Sequence, residues 1–250
     1  MDNENTRSSL EDRDWFSGWF GTEYYNLLYR KRSDAEARFF IDALRKQSWF
    51  SDGLSVLDLG CGNGRHALAL APYVNKIIGL DISEVQLSIA EKSKVDERCD
   101  FVKGDMRDFH LNEKFDLILN VFTSFGYFDS LDDNMKVLHR VHDHLRGGGR
   151  FILDYFNAEW VRNHLIPTEK TIIDGVVFEI TRIIDSGRVL KVIKVDGREY
   201  REMVTFFHYH DLKSMLERAQ FQVEKVYGSY HLDDFDESTS SRCIIFAKTL

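Results

Sequence analysis

Three carboxylates and three glycines carry most of the chemistry visible in this 250-residue sequence. In VLDLGCGNGRHALALA, residues 56 to 71, Asp58 stands two residues before Gly60, and Gly62 and Gly64 follow at alternate positions. Asp81 ends the segment NKIIGLD about twenty residues after the first glycine, and Asp105 lies in KGDMRDF. A glycine turn after a strand lets backbone approach a ligand closely, and a carboxylate ending the next strand can accept both hydroxyls of a ribose. Asp105 is placed to meet an adenine exocyclic amine, with Met106 backing the ring. Together these residues read as a nucleoside site. The dinucleotide fingerprint GxGxxG wants glycine where Arg65 stands, and no GK[ST] follows to make a P-loop. The turn therefore suits something smaller than a pyrophosphate, with Asp58 orienting either an amino group or the turn itself.

Such groups meet only if successive strands end at one edge. SVLDLG reads as a buried strand, GRHALALA as a helix, NKIIGLD as a strand, SEVQLSIAEKSK as a helix and CDFVKGD as a short strand. FDLILNVF is a fourth strand, SLDDNMKVLHRVHDHL a helix capped by Ser130 or Asp132, and GGGRFILDYF a strand after a glycine-rich stop. Five strands joined by helix-length crossovers predict a mostly parallel sheet wound on both faces. After Pro167 the β-branched runs broken by DG, SG and DG predict an antiparallel meander of about four strands. A helix, HDLKSMLERA, and two strands, FQVEKVYG and RCIIFAKT, complete the chain. Residues 1–14 read as a frayed tail; helical spacing begins near Thr22, and another helix begins near Asp34.

VLDLGCGNGRHA, GLDIS, GDMRD, FDLILNVFTSFGYF and LRGGGRFILDYFN, in this order and spacing, resemble the class I S-adenosylmethionine-dependent methyltransferases. The likeness is specific over roughly residues 54 to 156. YYNLLY, GRHA, TSFGYF, VYGSY and SRCIIFAK further resemble a small-molecule branch related to the sugar N-methyltransferases and glycine N-methyltransferase-like enzymes. The resemblance implies an α/β fold: a Rossmann-like, doubly wound, seven-stranded and mostly parallel sheet with an N-terminal helical lid and an inserted antiparallel β meander. The expected division is a lid over 1–50, a cofactor-binding core over 51–166 and 207–250, and the insert over 167–206. It also implies S-adenosyl-L-methionine as cofactor and S-adenosyl-L-homocysteine as product. Asp58 and the turn Gly60, Cys61, Gly62, Asn63 and Gly64 would face the methionyl part; Asp81 and Ile82 would hold ribose and adenine, and Asp105 and Met106 would bracket the adenine. Asn120 and Phe122 would stand near the sulfonium, and Tyr25 would close over the cofactor. Two residues depart from the branch: His210 stands where a small polar helix cap is usual, and Gln220 replaces the glycine before Phe221.

Composition narrows the acceptor. The chain is 43% hydrophobic, enough for a full core, and its net charge of −8 with no long Lys/Arg run lacks the footprint of a nucleic-acid binder. Cys61, Cys99 and Cys243 are odd in number and unpaired by any CxxC, which suits a reducing compartment and argues against structural zinc. His139, His142 and His144 are spaced too unevenly on one helix to converge on a metal, so none is expected. The polar N-terminus and the lack of a long apolar stretch predict a cytoplasmic protein with no membrane partner. A homodimer through the meander stays open.

Candidates for the acceptor pocket are Tyr24, Ser124, Tyr127, Asp154, Tyr155, His208 and Tyr230, from strand ends and the insert. No catalytic base is singled out, because a neutral amine attacks an electrophilic methyl without one whereas a hydroxyl does not. The expected reaction is methyl transfer to nitrogen or oxygen of a small molecule. The alternatives are a non-catalytic module binding the same cofactor and a methylase of RNA or protein.

Overall fold

The computed structural model describes residues 15–30 and 34–250; the expected tail over residues 1–14 lies outside them. The apolar run of strand β1 (Ser55–Leu59) is buried at every position. It pairs in parallel with β2 (Lys76–Asp81) on one side and β4 (Phe115–Asn120) on the other. β3 (Cys99–Lys103) lies outside β2, and β5 (Leu145–Phe156) outside β4. Because β2 continues outward from β1 to β3 while β4 leaves on the opposite side, the strand order reverses beside β1 and opens a crevice at the strands' carboxyl ends.

β6 (Thr168–Ile173), β7 (Val176–Asp185), β8 (Arg188–Val195) and β9 (Arg198–Thr205) form a separate four-stranded antiparallel sheet in sequence order. Its three turns, Asp174-Gly175, Ser186-Gly187 and Asp196-Gly197, have positive φ at both residues, the conformation that matches a two-residue hairpin to the strands' twist. β10 (Phe221–Tyr227) and β11 (Arg242–Thr249) then complete the main sheet in the order β3-β2-β1-β4-β5-β11-β10, with β11 antiparallel to both neighbours.

Alternation along the strands supplies two cores. Val56, Ile77, Leu117 and Leu119 pack with helices α3 (Asp34–Arg45) and α4 (Arg65–Leu70), after α1 (Trp15–Trp19) and α2 (Glu23–Tyr29). In α3 the buried Ala37, Phe40, Ile41 and Leu44 follow the three-and-four spacing of one helix face. α5 (Glu84–Ser93) follows β2 and is capped by Ser83. On the other side of the sheet Leu57, Leu59, Ile78 and Ile118 join α1, α6 (Leu131–His144), and, after the short α7 (Ala158–His164), α8 (Tyr209–Arg218), together with the insert's inner face at Phe178, Ile180 and Ile193. The sheet is thus covered by helices on both faces, as predicted.

Several local expectations resolve or change. Ser130, not Asp132, caps α6, accepting from Asp133 N–H at 3.0 Å. Gly147–Gly149 do not stop the chain before a strand; they lie inside β5, whose pairing with β4 shifts register there, and Gly148 N–H donates to Thr249 Oγ1 at 2.9 Å. α1 and α7 were not expected from the spacing. The cap of α8 is His208, with His210 inside the helix. Gln220 sits at φ 65 after α8, the left-handed position that glycine usually fills, and keeps an N–H bond to Glu217 O at 3.0 Å. Among the described residues no helix is long and apolar enough to cross a membrane.

Candidate functional site

The turn after β1 is tied to the end of β2. Gly60 and Cys61 N–H both donate to Leu80 O, at 2.7 and 3.1 Å. Gly62 N–H donates to Asp81 Oδ2 and Ser83 N–H to Asp81 Oδ1, each at 2.8 Å. Burial pushes the Asp81 carboxyl up, while the backbone donors at Ser83 and Gly62 favour its ionised form. At Gly60 only glycine fits: φ is 74, and a Cβ would lie 2.8 Å from Ser124 Cβ and 3.4 Å from Met106 Cε. The turn is therefore held flat against the loop after β4.

Above it opens a cavity of about 430 Å³. Of the residues expected at the site, Gly60, Gly62, Asn63, Asp81, Ile82, Asp105, Met106, Phe122, Ser124, Tyr127 and Tyr25 line it. Asp105 grips its own neighbour: Arg107 Nη2 donates to Oδ2 at 2.6 Å and Arg107 N–H to Oδ1 at 2.8 Å. Burial raises this carboxyl, but the Arg107 bonds outweigh it and hold the group below its ordinary value. Tyr25 belongs to an aromatic roof from α1 and α2, with its ring centroid 5.1 Å from Phe20 and 4.9 Å from Tyr29.

Other expected residues stand around the cavity, not in its wall. Asp58 is fully buried below the turn because β1 is covered on both faces; neither carboxylate oxygen has a hydrogen bond of ordinary geometry, although the Ala67 N–H favours its charge. Burial raises it to about 7, and the Asp81 charge adds to that. Cys61 and Gly64 shape the turn from behind, and burial pushes the Cys61 thiol up, leaving it a poor nucleophile. Asn120 is buried with Nδ2 donating to Leu59 O at 2.8 Å, which joins β4 to β1.

The acceptor-pocket expectations need more correction. Tyr24 points to the insert, its hydroxyl donating to Asp196 Oδ2 at 3.0 Å. Tyr155 is core, its hydroxyl bonded to Thr205 O. His208 begins α8, its N–H donating to Asp211 Oδ2 at 2.9 Å and its ring 3.4 Å from Glu159. Asp154 and Tyr230 are bonded to each other at 2.7 Å behind Phe122. β5 lies one strand beyond the crevice, so its end cannot reach the cavity that β1 and β4 border. His144, one of the three α6 histidines, is used structurally: Leu111 N–H donates to Nε2 at 3.1 Å and Nδ1 bonds Arg140 O at 2.7 Å.

The structure adds residues the spacing did not single out. Gln86, in the first turn of α5, donates from Nε2 to Phe20 O at 2.7 Å and Asn26 Oδ1 at 2.9 Å, fastening the aromatic roof to the core. Its position just after Asp81 was the available signal. His66, within GRHA, lines the cavity beside Phe122, and burial lowers it to about 3, so its imidazole is neutral at physiological pH. Behind Tyr29, Glu202 Oε1 accepts from the Tyr29 hydroxyl at 2.5 Å and from Trp19 Nε1 at 2.7 Å, joining roof to insert.

Comparison with known proteins gives a consistent pattern. A family model described as a methyltransferase domain matches residues 50–220. A cypemycin N-terminal methyltransferase of Streptomyces sp is 28% identical over 72% of this chain and 77% of its own. A dTDP-3-amino-3,4,6-trideoxy-alpha-D-glucopyranose N,N-dimethyltransferase of Streptomyces venezuelae is 25% identical over 82% of this chain and 92% of its own. The crystal structure of a S-adenosylmethionine-dependent methyltransferase from Clostridium acetobutylicum superposes with a TM-score of 0.78 at 20% identity, covering 98% of both chains, a likeness of fold.

Proposed function

Because this chain belongs to the methyltransferase-domain family, we propose that it moves the methyl group of S-adenosylmethionine to an amine nitrogen of a small-molecule acceptor. The observation that carries the reading is the cavity itself, floored by a glycine turn and walled by carboxylates that include Asp81 and Asp105 and by a run of aromatic rings. These residues fit the cofactor. Gly60 lets the turn lie against Ser124 with no side chain between them, Asp81 and Asp105 give acceptors for ribose hydroxyls and adenine amine, and the orphaned Asp58 carboxylate lies below the turn expected to meet the methionyl part. When bound, the cofactor supplies a sulfonium methyl that is already electrophilic.

The chain's own work is then alignment and exclusion of water. Phe16, Phe20, Tyr25, Tyr29 and Phe122 offer ring faces, which tolerate a cation without hydrating it. Ser124 and Tyr127 are the acceptor-side candidates that border the cavity. A neutral amine needs no deprotonation before attack, and His66, neutral in the wall, can accept or donate a hydrogen bond without adding charge.

Nitrogen is favoured over oxygen because the names of the two relatives described above specify an N-terminal methyltransferase and an amino-sugar N,N-dimethyltransferase. A net charge of −8 supports a small acceptor over a polyanion, and three free, buried cysteines support the cytoplasm. In this reading residues 1–50 act as the lid, 51–166 and 207–250 as the core, and 167–206 as the roof's outer support. An acceptor screen by S-adenosylhomocysteine release, with matched amines and alcohols, tests it: turnover is expected with amines, and turnover confined to alcohols would overturn the choice of nitrogen.

A further inference from the structure

Two successive residues in the loop just after β4, Phe122 at φ 66 and Thr123 at φ 60, adopt the left-handed conformation without being glycine. For a β-branched residue such as Thr123 this is an outlier that persists only when neighbours impose it. Both N–H groups of the turn end on one residue. Phe122 N–H donates to Asp154 Oδ2 at 2.7 Å, and Thr123 N–H donates to the Asp154 carbonyl at 3.1 Å. Asp154 has no exposed surface. Its remaining bonds close a network: Tyr230 hydroxyl to Oδ2 at 2.7 Å, Arg242 Nε and Nη2 to Oδ1 at 2.8 and 2.6 Å, and Arg242 Nη2 onward to Thr123 Oγ1 at 2.9 Å.

The product of this arrangement is the placement of one ring. Phe122 lines the cavity, lies parallel to Tyr230 at 6.1 Å, and has the Arg65 guanidinium 4.9 Å from its centroid. Asp154, Arg242 and Tyr230 do not border the cavity. A buried ion pair is a weak source of net stability compared with apolar packing, so fixing a conformation is the better account of this one. We infer that Asp154 is a positioning residue which, with Arg242 and Tyr230, holds the Phe122–Thr123 turn in its left-handed form and so sets where the Phe122 ring stands in the cavity wall. The consequence for ligand binding rests on the cavity receiving the S-adenosyl cofactor.

Asp154→Asn keeps one acceptor oxygen but removes the charge, so the turn and Arg242 compete for it. Thr123→Gly removes the conformational cost that Asp154 opposes. S-adenosylhomocysteine affinity is measured by calorimetry at a temperature where circular dichroism shows each variant folded, and hydrogen exchange is followed at the Phe122 and Thr123 amides without ligand. Asp154→Asn is expected to bind about tenfold more weakly, the order set by relaxing one strained residue, and adding Thr123→Gly to recover most of that loss. The two amides are expected to exchange faster in Asp154→Asn while β4 itself keeps its protection. Unchanged exchange at both amides, or a double variant no tighter than Asp154→Asn, overturns the inference. Should Asp154→Asn fail to fold, Tyr230→Phe with and without Thr123→Gly gives the same comparison. A wild-type protein that binds no S-adenosylhomocysteine fails the cofactor reading, while the ligand-free exchange result still decides the role of Asp154.

Discussion

The Asp81 carboxylate bridges two backbone N–H groups, Gly62 at 2.8 Å and Ser83 at 2.8 Å, so the same side chain that faces the cavity also fixes the glycine turn and holds the residue that caps α5. A residue with both duties cannot be removed without disturbing the ligand cradle. Asp81→Ala is expected to cost about 1.5–3 kcal/mol of stability, the range for hydrogen bonds to a charged group, and to abolish measurable S-adenosylhomocysteine binding. Urea unfolding and calorimetry on the same preparation check both effects. A variant that loses stability and retains wild-type affinity would separate the two duties.

Two glycines of the turn make a matched pair. A Cβ on Gly60 would strike Ser124 at 2.8 Å, whereas one on Gly62 meets nothing within 4 Å, and both have positive φ. Gly62→Ala should therefore lose only the left-handed preference, about 1–2 kcal/mol. Gly60→Ala adds overpacking of about 1–3 kcal/mol. Chemical denaturation of the two variants side by side is the check, and equal losses would mean the close approach at Gly60 is relaxed in solution.

Asp58 predicts a pH dependence. Its folded carboxyl is raised from an ordinary 3.8 to about 7 by burial, so the folded state binds the proton more tightly than the unfolded chain does. The sign follows from linkage: the stabilisation is complete below about pH 4 and is lost as pH rises toward 7, a span of about 4 kcal/mol at most. Asp58→Asn cannot ionise, so the stability gap between variant and wild type should move in the variant's favour between pH 5 and pH 8. A gap that stays constant across that range would show that Asp58 is not the titrating group.

Gln86 fastens the roof through Phe20 O and Asn26 Oδ1. Truncation to Ala should weaken S-adenosylhomocysteine binding by about 5- to 30-fold, the equivalent of roughly 1–2 kcal/mol for two hydrogen bonds, with a smaller effect on global stability. Limited proteolysis should then cut more readily within residues 15–30. Unaltered affinity would place the fastening outside the binding event.

Much of this architecture is legible in the chain because the signals are local. β1, β2 and β4 are short apolar runs with Asp58, Asp81 and Asn120 at or next to their last position, and each hairpin turn of the insert carries the residue pair its backbone requires. The cofactor side of the site follows from the same punctuation, since residues at strand ends inherit their place from the strand order. The acceptor side does not. Asp154 and Tyr155 are correctly found at the end of β5, but one turns beneath Phe122 and the other into the core below the insert, and spacing alone does not say how far β5 stands from the crevice. α1 is obscured by Gly18 in the middle of WFSGW, and it forms because Trp15, Phe16 and Trp19 are buried by the insert and the loop after β4. Gly147–Gly149 look like a stop, yet long-range pairing with β4 and Thr249 carries the strand through them.

Each role proposed for the site depends on the cavity above the glycine turn receiving an S-adenosyl nucleoside. Isothermal titration of the purified wild-type protein with S-adenosylmethionine, S-adenosylhomocysteine and NAD tests it most directly. Saturable one-to-one binding of both sulfur nucleosides, abolished by Asp81→Ala, and no heat from NAD are expected. Absence of binding by either sulfur nucleoside to ligand-free protein, or preference for NAD, would contradict it.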